Sequence, residues 1–218
     1  MFTGLVEALG RVESAATAAD GISRELIITA PFSADLACGE SVSVNGVCLT
    51  VTSASARAFH VDCTATTLSL TTLGQLQSGD PLNLERSCTP STRLGGHWVL
   101  GHVDTTGTVE RITANGSARD VWIAFDPRFD PLVAPMGSVT VDGVSLTIVD
   151  KTPGIFHVTV IPHTQKQTNL QFLRQKTAVN LEFDVLGKYI LQLLPDSGLT
   201  PQTTYLKERT AQGGIFNE

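Results

Sequence analysis

Small polar side chains alternate with aliphatic residues in two similar phrases of the sequence, a pattern that could bind a ligand. Cys48 and Thr50 do so in SVNGVCLTV, and Ser145 and Thr147 do so in TVDGVSLTI. Because successive side chains of a strand point to opposite faces, each polar pair would lie outside the sheet while its aliphatic neighbours fill the interior. Hydroxyl and backbone donors above an apolar floor suit a flat polar heterocycle. A solvated strand face is the alternative, but the recurrence of the pair favours a binding groove.

The two phrases are parts of an internal duplication. Gly46 and Gly143 lie 97 positions apart, and the same offset relates FHV at 59–61 to FHV at 156–158. The copies align without a gap over more than eighty residues, whereas the repeats of a solenoid are only about 20–50 residues long. The chain therefore contains two copies of one domain, and two similar sites would suit the binding of a pair of like molecules. The predicted division is a first domain at 1–86, a linker at 87–97, a second domain at 98–183, and a helix and tail at 184–218.

A thiol and an imidazole are candidates for chemistry on a bound ligand. Cys48 and His102 could form a nucleophile pair, although their spacing alone does not establish one. His102 aligns with Leu5 of the first copy, so the duplication did not require a histidine there, which favours a role over a purely structural strand residue. The five histidines lack the ligand spacing of a zinc site, and the four cysteines form no CxxC pair. We therefore expect no metal site, and reduced thiols in the cytoplasm.

The composition is that of a globular protein, and it argues against nucleic-acid and membrane partners. The 218 residues, 42% of them hydrophobic and 17% charged, suffice for two small domains. A formal net charge of −6 argues against a surface that binds phosphates. No apolar run approaches the roughly 20 residues of a membrane span, and the first residues lack the pattern of a signal peptide.

Short alternating runs separated by glycine-containing turns predict an all-β fold with a small barrel in each copy. Asn45–Gly46 and Asp142–Gly143 are typical of primed turns between two strands. Further predicted strands are 25–30, 58–63, 80–85, 120–125, 155–161 and 178–183, with weaker helical segments near 65–72 and 164–170.

A helix is predicted after the second copy, where apolar residues recur with helical spacing up to Pro195. This stripe consists of Val185, Leu186, Tyr189, Ile190, Leu193 and Leu194. The first copy has no counterpart, so the stripe must be buried against something outside the duplicated core. It packs either on its own second domain or on other subunits, and the sequence alone leaves both alternatives open.

Several phrases, taken together and in order over residues 1–194, resemble those of riboflavin synthases. They are MFTGLVE, SVNGVCLTV, GGHWVLGHVD, TVDGVSLTIV and VNLEFDVLGKY. The resemblance implies two similar six-stranded Greek-key barrels that bind lumazine, followed by a carboxy-terminal helix through which three chains associate. It implies a transferase that passes a four-carbon unit between two molecules of 6,7-dimethyl-8-ribityllumazine, giving riboflavin and 5-amino-6-ribitylamino-uracil. The family uses no cofactor or metal, and lumazine synthase is a possible further partner.

The resemblance also implies roles for particular residues, at a site formed between the first barrel of one subunit and the second barrel of the next. Catalytic roles fall on Ser41, Cys48 and His102; contacts with the first pteridine on Thr50 and Thr67; contacts with the second on Ser145, Thr147 and Thr164; and Asp184 is the acidic residue after the last strand. Departures from the family are Thr66 and Met136, where glutamate and lysine are usual, and Gln165 after Thr164. Two alternative functions are considered. One is a lumazine- or flavin-binding homologue that keeps the fold but has no catalytic activity. The other is a flavin-reductase-type barrel, which would need a nucleotide-binding domain.

Overall fold

A computed structural model describes residues 1–194, and within them the chain forms two closed antiparallel barrels of six strands each. The first barrel comprises β1 (Ala8–Thr17), β2 (Arg24–Thr29), β3 (Ser41–Val44), β4 (Val47–Ala54), β5 (Ala58–Cys63) and β6 (Pro81–Arg86). The second comprises β7 (Thr105–Asn115), β8 (Ala118–Ala124), β9 (Ser138–Val141), β10 (Val144–Thr152), β11 (Ile155–Val160) and β12 (Ala178–Phe183). The predicted all-β fold of two similar barrels is confirmed.

Both barrels have the same strand order. In the first it is β1-β2-β5-β4-β3-β6, and β6 pairs with β1 to close the sheet. In the second the corresponding order is β7-β8-β11-β10-β9-β12, again closed. In the first barrel β3, β4 and β5 form a three-stranded meander, and the strands on either side of it, β6 and β2, are not consecutive in sequence with the meander strands they pair with. This arrangement is a Greek key. Closure leaves no unpaired strand edge, so the outer surface of each barrel is free to carry side chains for a ligand.

The barrel interiors are filled by the aliphatic residues of the alternating phrases. Val47, Leu49 and Val51 of β4 are buried, whereas Thr50 is exposed and Cys48 half-buried on the outer face. Each fully buried Val or Leu side chain stabilises the fold by about 1.5–3 kcal/mol relative to exposure. Beyond Val51, a register shift bends the strand, and the same irregularity follows the aligned position in β10.

The predicted primed turns are confirmed, and they meet where the two barrels touch. Asn45 and Gly46 have φ of 46° and 80°, and Asp142 and Gly143 have φ of 47° and 78°. A side chain on Gly46 would come within 2.7 Å of the Gly143 nitrogen. The turns therefore pack back to back, on an axis that relates one barrel to the other by approximate twofold symmetry.

A buried polar network joins the barrels at this axis. Asn83 Nδ2 donates to the Asp142 carbonyl at 2.9 Å, and Asn180 Nδ2 donates to the Asn45 carbonyl at 2.9 Å. The last strand of each barrel is thus bonded to the turn of the other. The symmetry is broken at Asn169, whose Nδ2 donates to Asp142 Oδ2 at 3.0 Å. Because every bond lies in a low-dielectric interior, the network fixes how the barrels dock.

The helical segments are short and lie outside the barrels. They are α1 (Ala65–Leu70), α2 (Pro162–Gln167) and α3 (Val185–Leu193), with 3-10 turns at Ser33–Asp35, Thr72–Gln75, Pro127–Leu132 and Asn169–Phe172. The helical segments predicted near 65–72 and 164–170 are therefore confirmed. None of the helices in residues 1–194 is long and apolar enough to cross a membrane.

The carboxy-terminal helix α3 leaves most of its apolar stripe uncovered. Asp184 caps it by accepting from Leu186 N at 3.0 Å, and Val185 is buried. By contrast, Tyr189, Ile190 and Leu193 are 66%, 58% and 78% exposed. Within the described residues, the stripe beyond Val185 is therefore not buried by the second barrel. Pro195 and the tail lie outside that range.

Candidate functional site

A row of polar residues crosses the outer face of the first barrel. Pairing of β3 with β4 sets Ser41 opposite Thr50 and Ser43 opposite Cys48, and pairing of β3 with β6 sets Glu85 opposite Ser43. Directly opposed residues of antiparallel strands point to the same face. The structure therefore brings three sequence-predicted residues, Ser41, Cys48 and Thr50, onto one surface.

The second barrel repeats this row with different side chains. Ser145 lies opposite Thr140, which in turn lies opposite Glu182, and Thr147 lies opposite Ser138. Thr147 is exposed and Ser145 half-buried on the outer face. Each barrel thus offers two outward polar groups, with a thiol in the first and a hydroxyl at the equivalent place in the second.

The helix after the fifth strand of each barrel carries one of the sequence-predicted threonines. Since β5 runs antiparallel to β4, α1 begins beside the start of β4, and it carries the partly buried Thr67. In the second barrel α2 does the same with Thr164. Thr66 is exposed next to Thr67, and Met136 is 78% exposed in the left-handed region with φ of 64°.

The segment before the first barrel, residues 2–5, bridges the two barrels. Glu85 of the first barrel accepts from Thr3 N and Thr3 Oγ1 at 2.7 Å each, and from Gly4 N at 3.0 Å. The Gly4 carbonyl then accepts from Ser145 N of the second barrel at 2.8 Å. We call residues 2–5 and the equivalent residues 99–102 the lead segments.

The second lead segment makes the reciprocal contacts. Glu182 of the second barrel accepts from Leu100 N at 2.8 Å and Gly101 N at 2.9 Å, and the Gly101 carbonyl accepts from Cys48 N of the first barrel at 2.9 Å. His102, the next residue, is exposed. The crossing therefore delivers His102 of the second copy to the neighbourhood of Cys48 in the first, which spacing in the sequence could not establish.

Only glycine fits where the lead segments touch the strands. Gly4 and Gly101 have φ of 76° and 77°, in the left-handed region. A Cβ on Gly4 would lie 2.6 Å from Ser145 Cβ, and one on Gly101 would lie 2.6 Å from Cys48 Cβ. The backbone of each lead segment thus forms one wall of the groove that belongs to the opposite barrel.

The glutamates that hold the lead segments are buried and electrostatically unusual. Burial raises the pKa of Glu85 and of Glu182, although their backbone donors oppose the shift. Near Glu182, Lys188 of α3 pairs with the buried Asp104 at 2.6 Å. The positive charge of Lys188 also partly opposes the rise in the pKa of Glu182. This cluster ties the second lead segment to the start of α3.

One residue of the site was missed by the sequence analysis. His97 is only 8% exposed, and its Nδ1 lies 2.8 Å from Ser145 Oγ. It falls in the predicted linker and has no counterpart in the first copy, so comparison of the copies could not single it out. Burial lowers the pKa of His97, and the negative charge of Asp184 opposes that shift.

The arrangement offers two similar grooves with unlike reactive groups. We call Ser41, Cys48, Thr50, Thr67 and His102 the first site, and Ser145, Thr147, Thr164, Asp184 and His97 the second site. An open cleft of about 600 Å³ lies beside the first site; of the residues of that site only Ser41 lines it, together with Glu85 and Arg86. That volume is in the range of small-molecule pockets. Among residues 1–194 no three His, Cys, Asp or Glu side chains are grouped to hold a metal ion, and metal-free chemistry stays a prediction.

Comparison with known proteins relates the chain to lumazine-binding proteins. The lumazine binding domain family matches residues 3–87 and again residues 100–184. A riboflavin synthase from Actinobacillus pleuropneumoniae is 42% identical over 194 residues, which covers 89% of this chain and 90% of the relative. One from Bacillus subtilis (strain 168) is 38% identical over 194 residues, with 89% and 90% covered.

Among solved structures, LumP complexed with 6,7-dimethyl-8-(1'-D-ribityl) lumazine superposes with a TM-score of 0.75 at 25% identity, over 84% of this chain and 98% of that one. The lumazine binding domain family therefore matches this chain twice, once over each barrel. The chain, with its two lumazine-binding domains, belongs to the riboflavin synthase family.

Proposed function

We propose that the protein is a riboflavin synthase, which transfers a four-carbon unit between two molecules of 6,7-dimethyl-8-ribityllumazine to give riboflavin and 5-amino-6-ribitylamino-uracil. The observation that carries this proposal is the pair of equivalent grooves with unlike side chains, Cys48 in one and Ser145 in the other. Two like substrates that take unlike roles need such a pair. Relatives of this chain at 38–42% identity are riboflavin synthases, which supports the assignment.

The residues divide into three roles in this proposal. Cys48, His102 and Ser41 supply the nucleophile, move protons and stabilise the adduct at the first site. Thr50 and Thr67 hold the first lumazine; Ser145, Thr147, Thr164 and Asp184 hold the second. Positioning two rings face to face and excluding water accounts for most of the expected acceleration, and proton transfer by an imidazole adds to it.

Incubation with the lumazine alone tests the proposal. A riboflavin synthase forms the flavin absorption band without added reductant or nucleotide, because the reaction is a dismutation. A protein that only binds lumazine, the alternative suggested by the likeness to LumP, would show a change in ligand fluorescence but no flavin. Absence of the band at saturating lumazine would contradict the proposed activity.

Variants at the first site test the assigned roles. We expect Cys48→Ala and His102→Gln to slow single-turnover formation of riboflavin by about 10²–10⁴-fold, the usual contribution of a nucleophile or proton-transfer group. Both side chains lie outside the barrel, so the free energy of unfolding should change little. Cys38→Ala and His60→Gln are matched controls at exposed positions. Rates equal to those of the controls would show that the roles are wrongly assigned.

The exposed stripe of α3 supports assembly as a homotrimer, in which the first site of one subunit meets the second site of the next. Ile190→Asp should dissociate the assembly in sedimentation-velocity experiments and abolish turnover, whereas Gln192→Asp, an exposed position on the same helix, should not. A wild-type chain that sediments as a monomer while turning over would exclude this arrangement.

The remaining parts of the proposal concern boundaries, location and partners. The domain division is 1–86, 87–97, 98–183 and 184–218, with lumazine-binding barrels in the first and third ranges. All four cysteines are free, in keeping with a cytoplasmic location. Lumazine synthase is the candidate protein partner, which co-purification of the two proteins would test.

A further inference from the structure

A lysine of helix α3 reaches the chain beside His102. Lys188 Nζ lies 2.6 Å from Oδ2 of Asp104, two residues after His102, and the two side chains are 15% and 3% exposed. We propose that Lys188 is a positioning residue, which holds the chain around His102 through Asp104 and so fixes the imidazole beside Cys48. This inference rests on the proposed function, in which His102 moves protons at the first site.

The chain on either side of His102 is attached to both barrels. Before it, the Gly101 nitrogen donates to Glu182 of the second barrel at 2.9 Å, and the Gly101 carbonyl accepts from Cys48 N of the first barrel at 2.9 Å. After it, the half-buried Val103 packs against the core of the first barrel. His102 itself is exposed, so packing does not fix its side chain. Its position therefore depends on how firmly its neighbours in the chain are held.

Asp104 anchors the far end of this span with both its backbone and its side chain. The Asp104 nitrogen donates to the Leu181 carbonyl at 2.9 Å, and Oδ2 accepts from Phe183 N at 2.8 Å as well as from Lys188. A bond between an ammonium and a carboxylate is stronger than one between neutral groups, and a low-dielectric interior strengthens it further. One buried carboxylate thus joins β12, the start of α3 and the span that carries His102.

The first half of the chain lacks this ion pair. The positions equivalent to His102, Asp104 and Lys188 are Leu5, Glu7 and Ser91. Glu7 pairs instead with Arg86 of β6, and their side chains are 37% and 40% exposed. Both halves have a lead segment that must be held, so a purely structural need would arise in each. The buried pair is found in the half that delivers an imidazole and not in the half that delivers a leucine, which supports a role in placing that imidazole.

Loss of the ammonium should displace His102 and leave the rest of the groove in place. Removal of Lys188 makes the buried carboxylate of Asp104 less stable where it stands, so that it turns toward water or takes up a proton. Either change releases the span from α3, and a displacement of about 1 Å at a reacting group can slow catalysis about 10²-fold. Thr50 and Thr67, which hold the first lumazine in the proposed function, belong to β4 and α1 and are unchanged. The effect should therefore fall on kcat and spare KM.

Two lysine variants test the kinetic effect. We expect Lys188→Met to lower kcat by about 10- to 100-fold and to change KM by less than about threefold. Lys176→Met, at an exposed lysine of the second domain, is the matched control and should behave as the wild type. Rates are compared on protein that sediments as the wild type does, because α3 is also the proposed assembly surface. Equal kcat values for the two variants, or a loss confined to KM, would overturn the proposal.

A double variant separates placement from stability, and it replaces Lys188→Met if that variant does not fold. Asp104→Asn combined with Lys188→Met removes both charges and keeps an amide oxygen that can accept from Phe183 N. Its unfolding midpoint in urea should therefore return toward that of the wild type. The bond between α3 and the span is still missing, so kcat should stay about tenfold or more below the wild type. A double variant with the kcat of the wild type would show that the ion pair only stabilises the fold, and would overturn the proposal.

Amide hydrogen exchange locates the effect without turnover. The nitrogens of Gly101 and Asp104 are hydrogen-bonded, so their exchange reports how firmly the span is held. We expect exchange at both to be about tenfold or more faster in the double variant than in the wild type, with exchange in β8 and β11 unchanged. Exchange that rises equally in all these elements, or that does not rise at the span, would overturn the proposal. A wild-type chain that forms no riboflavin would instead refute the proposed function, and the exchange data would still decide whether Lys188 holds the chain around His102.

Discussion

The stability of the protein should depend on pH through one buried carboxyl group at the junction of the barrels. Asp142 is fully buried, and its two oxygens accept from Asn180 N at 2.8 Å and Asn169 Nδ2 at 3.0 Å. Burial is the dominant effect and raises the pKa of Asp142 from 3.8 to about 6, against the two hydrogen bonds that favour the ionised form. The equivalent position in the first barrel is the neutral Asn45.

The raised pKa converts into a definite loss of stability at neutral pH. The unfolded chain titrates near 3.8 and the folded chain near 6, so the folded state holds its proton more tightly. The contribution of the protonated carboxyl is therefore fully present below pH 3.8 and is lost as the pH rises through 6. A pKa difference of one corresponds to about 1.4 kcal/mol, so ionised Asp142 destabilises the fold by about 3 kcal/mol.

Urea unfolding of the wild type and of Asp142→Asn, measured from pH 4 to pH 8, tests this reasoning. The difference in unfolding free energy between variant and wild type should shift in favour of the variant by about 2.4 kcal/mol over that range, because at pH 4 the unfolded carboxyl is already more than half ionised. Buried Glu85 and Glu182 also have a raised pKa, but they are common to both proteins and cancel in the difference.

In Asp142→Asn the amide NH2 would face the Asn169 Nδ2 donor, which adds a destabilisation that does not depend on pH. Only the change of the stability difference with pH, and not its absolute value, therefore tests the reasoning. Asp142→Asn combined with Asn169→Thr removes that clash by copying the pair Asn45 and Thr72 of the first barrel, and it should show the same pH dependence. A difference that does not vary with pH, or that moves toward the wild type as the pH rises, would refute the reasoning.

Two further substitutions probe the lead segment and its support. Gly101→Ala should destabilise the protein by about 2–4 kcal/mol, because it adds the cost of the left-handed backbone to a collision with Cys48. Gly21 has a φ of 73° and open space around it, so Gly21→Ala should show only the backbone part of that destabilisation. Equal losses of unfolding free energy in urea would contradict the collision. Lys188→Met should destabilise by about 3–5 kcal/mol, because it removes the ammonium that pairs with buried Asp104. A loss below about 1 kcal/mol in the same assay would show that the ion pair is not needed.

Strand alternation and turn residues were strong enough to predict most of the fold. The turns at 45–46 and 142–143 follow from residues that tolerate positive φ, and the outward position of Cys48 follows from the period of a strand. The first strand of each barrel, β1 and β7, was missed. Gly10 and Gly107 interrupt their patterns, because a side chain there would collide with Leu84 or Leu181 across the closing pair of strands. A register shift then breaks the alternation further.

The candidate site was predictable only where the two copies correspond. Alignment of the two copies shows that Cys48 corresponds to Ser145 and that His102 corresponds to Leu5. It does not predict any contact between the barrels. The pairing of Cys48 with the second lead segment depends on hydrogen bonds between residues about fifty positions apart, and no local pattern encodes them. His97 lies outside the aligned copies altogether, so its contact with Ser145 could come only from the folded chain.

The exchange of lead segments has a consequence for how such a protein could arise. Two separate molecules of the first half could satisfy the same backbone bonds by offering Gly4 to each other's Cys48, so a symmetric dimer would need no linker. In that dimer Leu5 would stand where His102 now stands, and both grooves would be apolar at that point. Once the two halves are joined in one gene, each lead segment can change separately. An imidazole can then be introduced at one groove without appearing at the other.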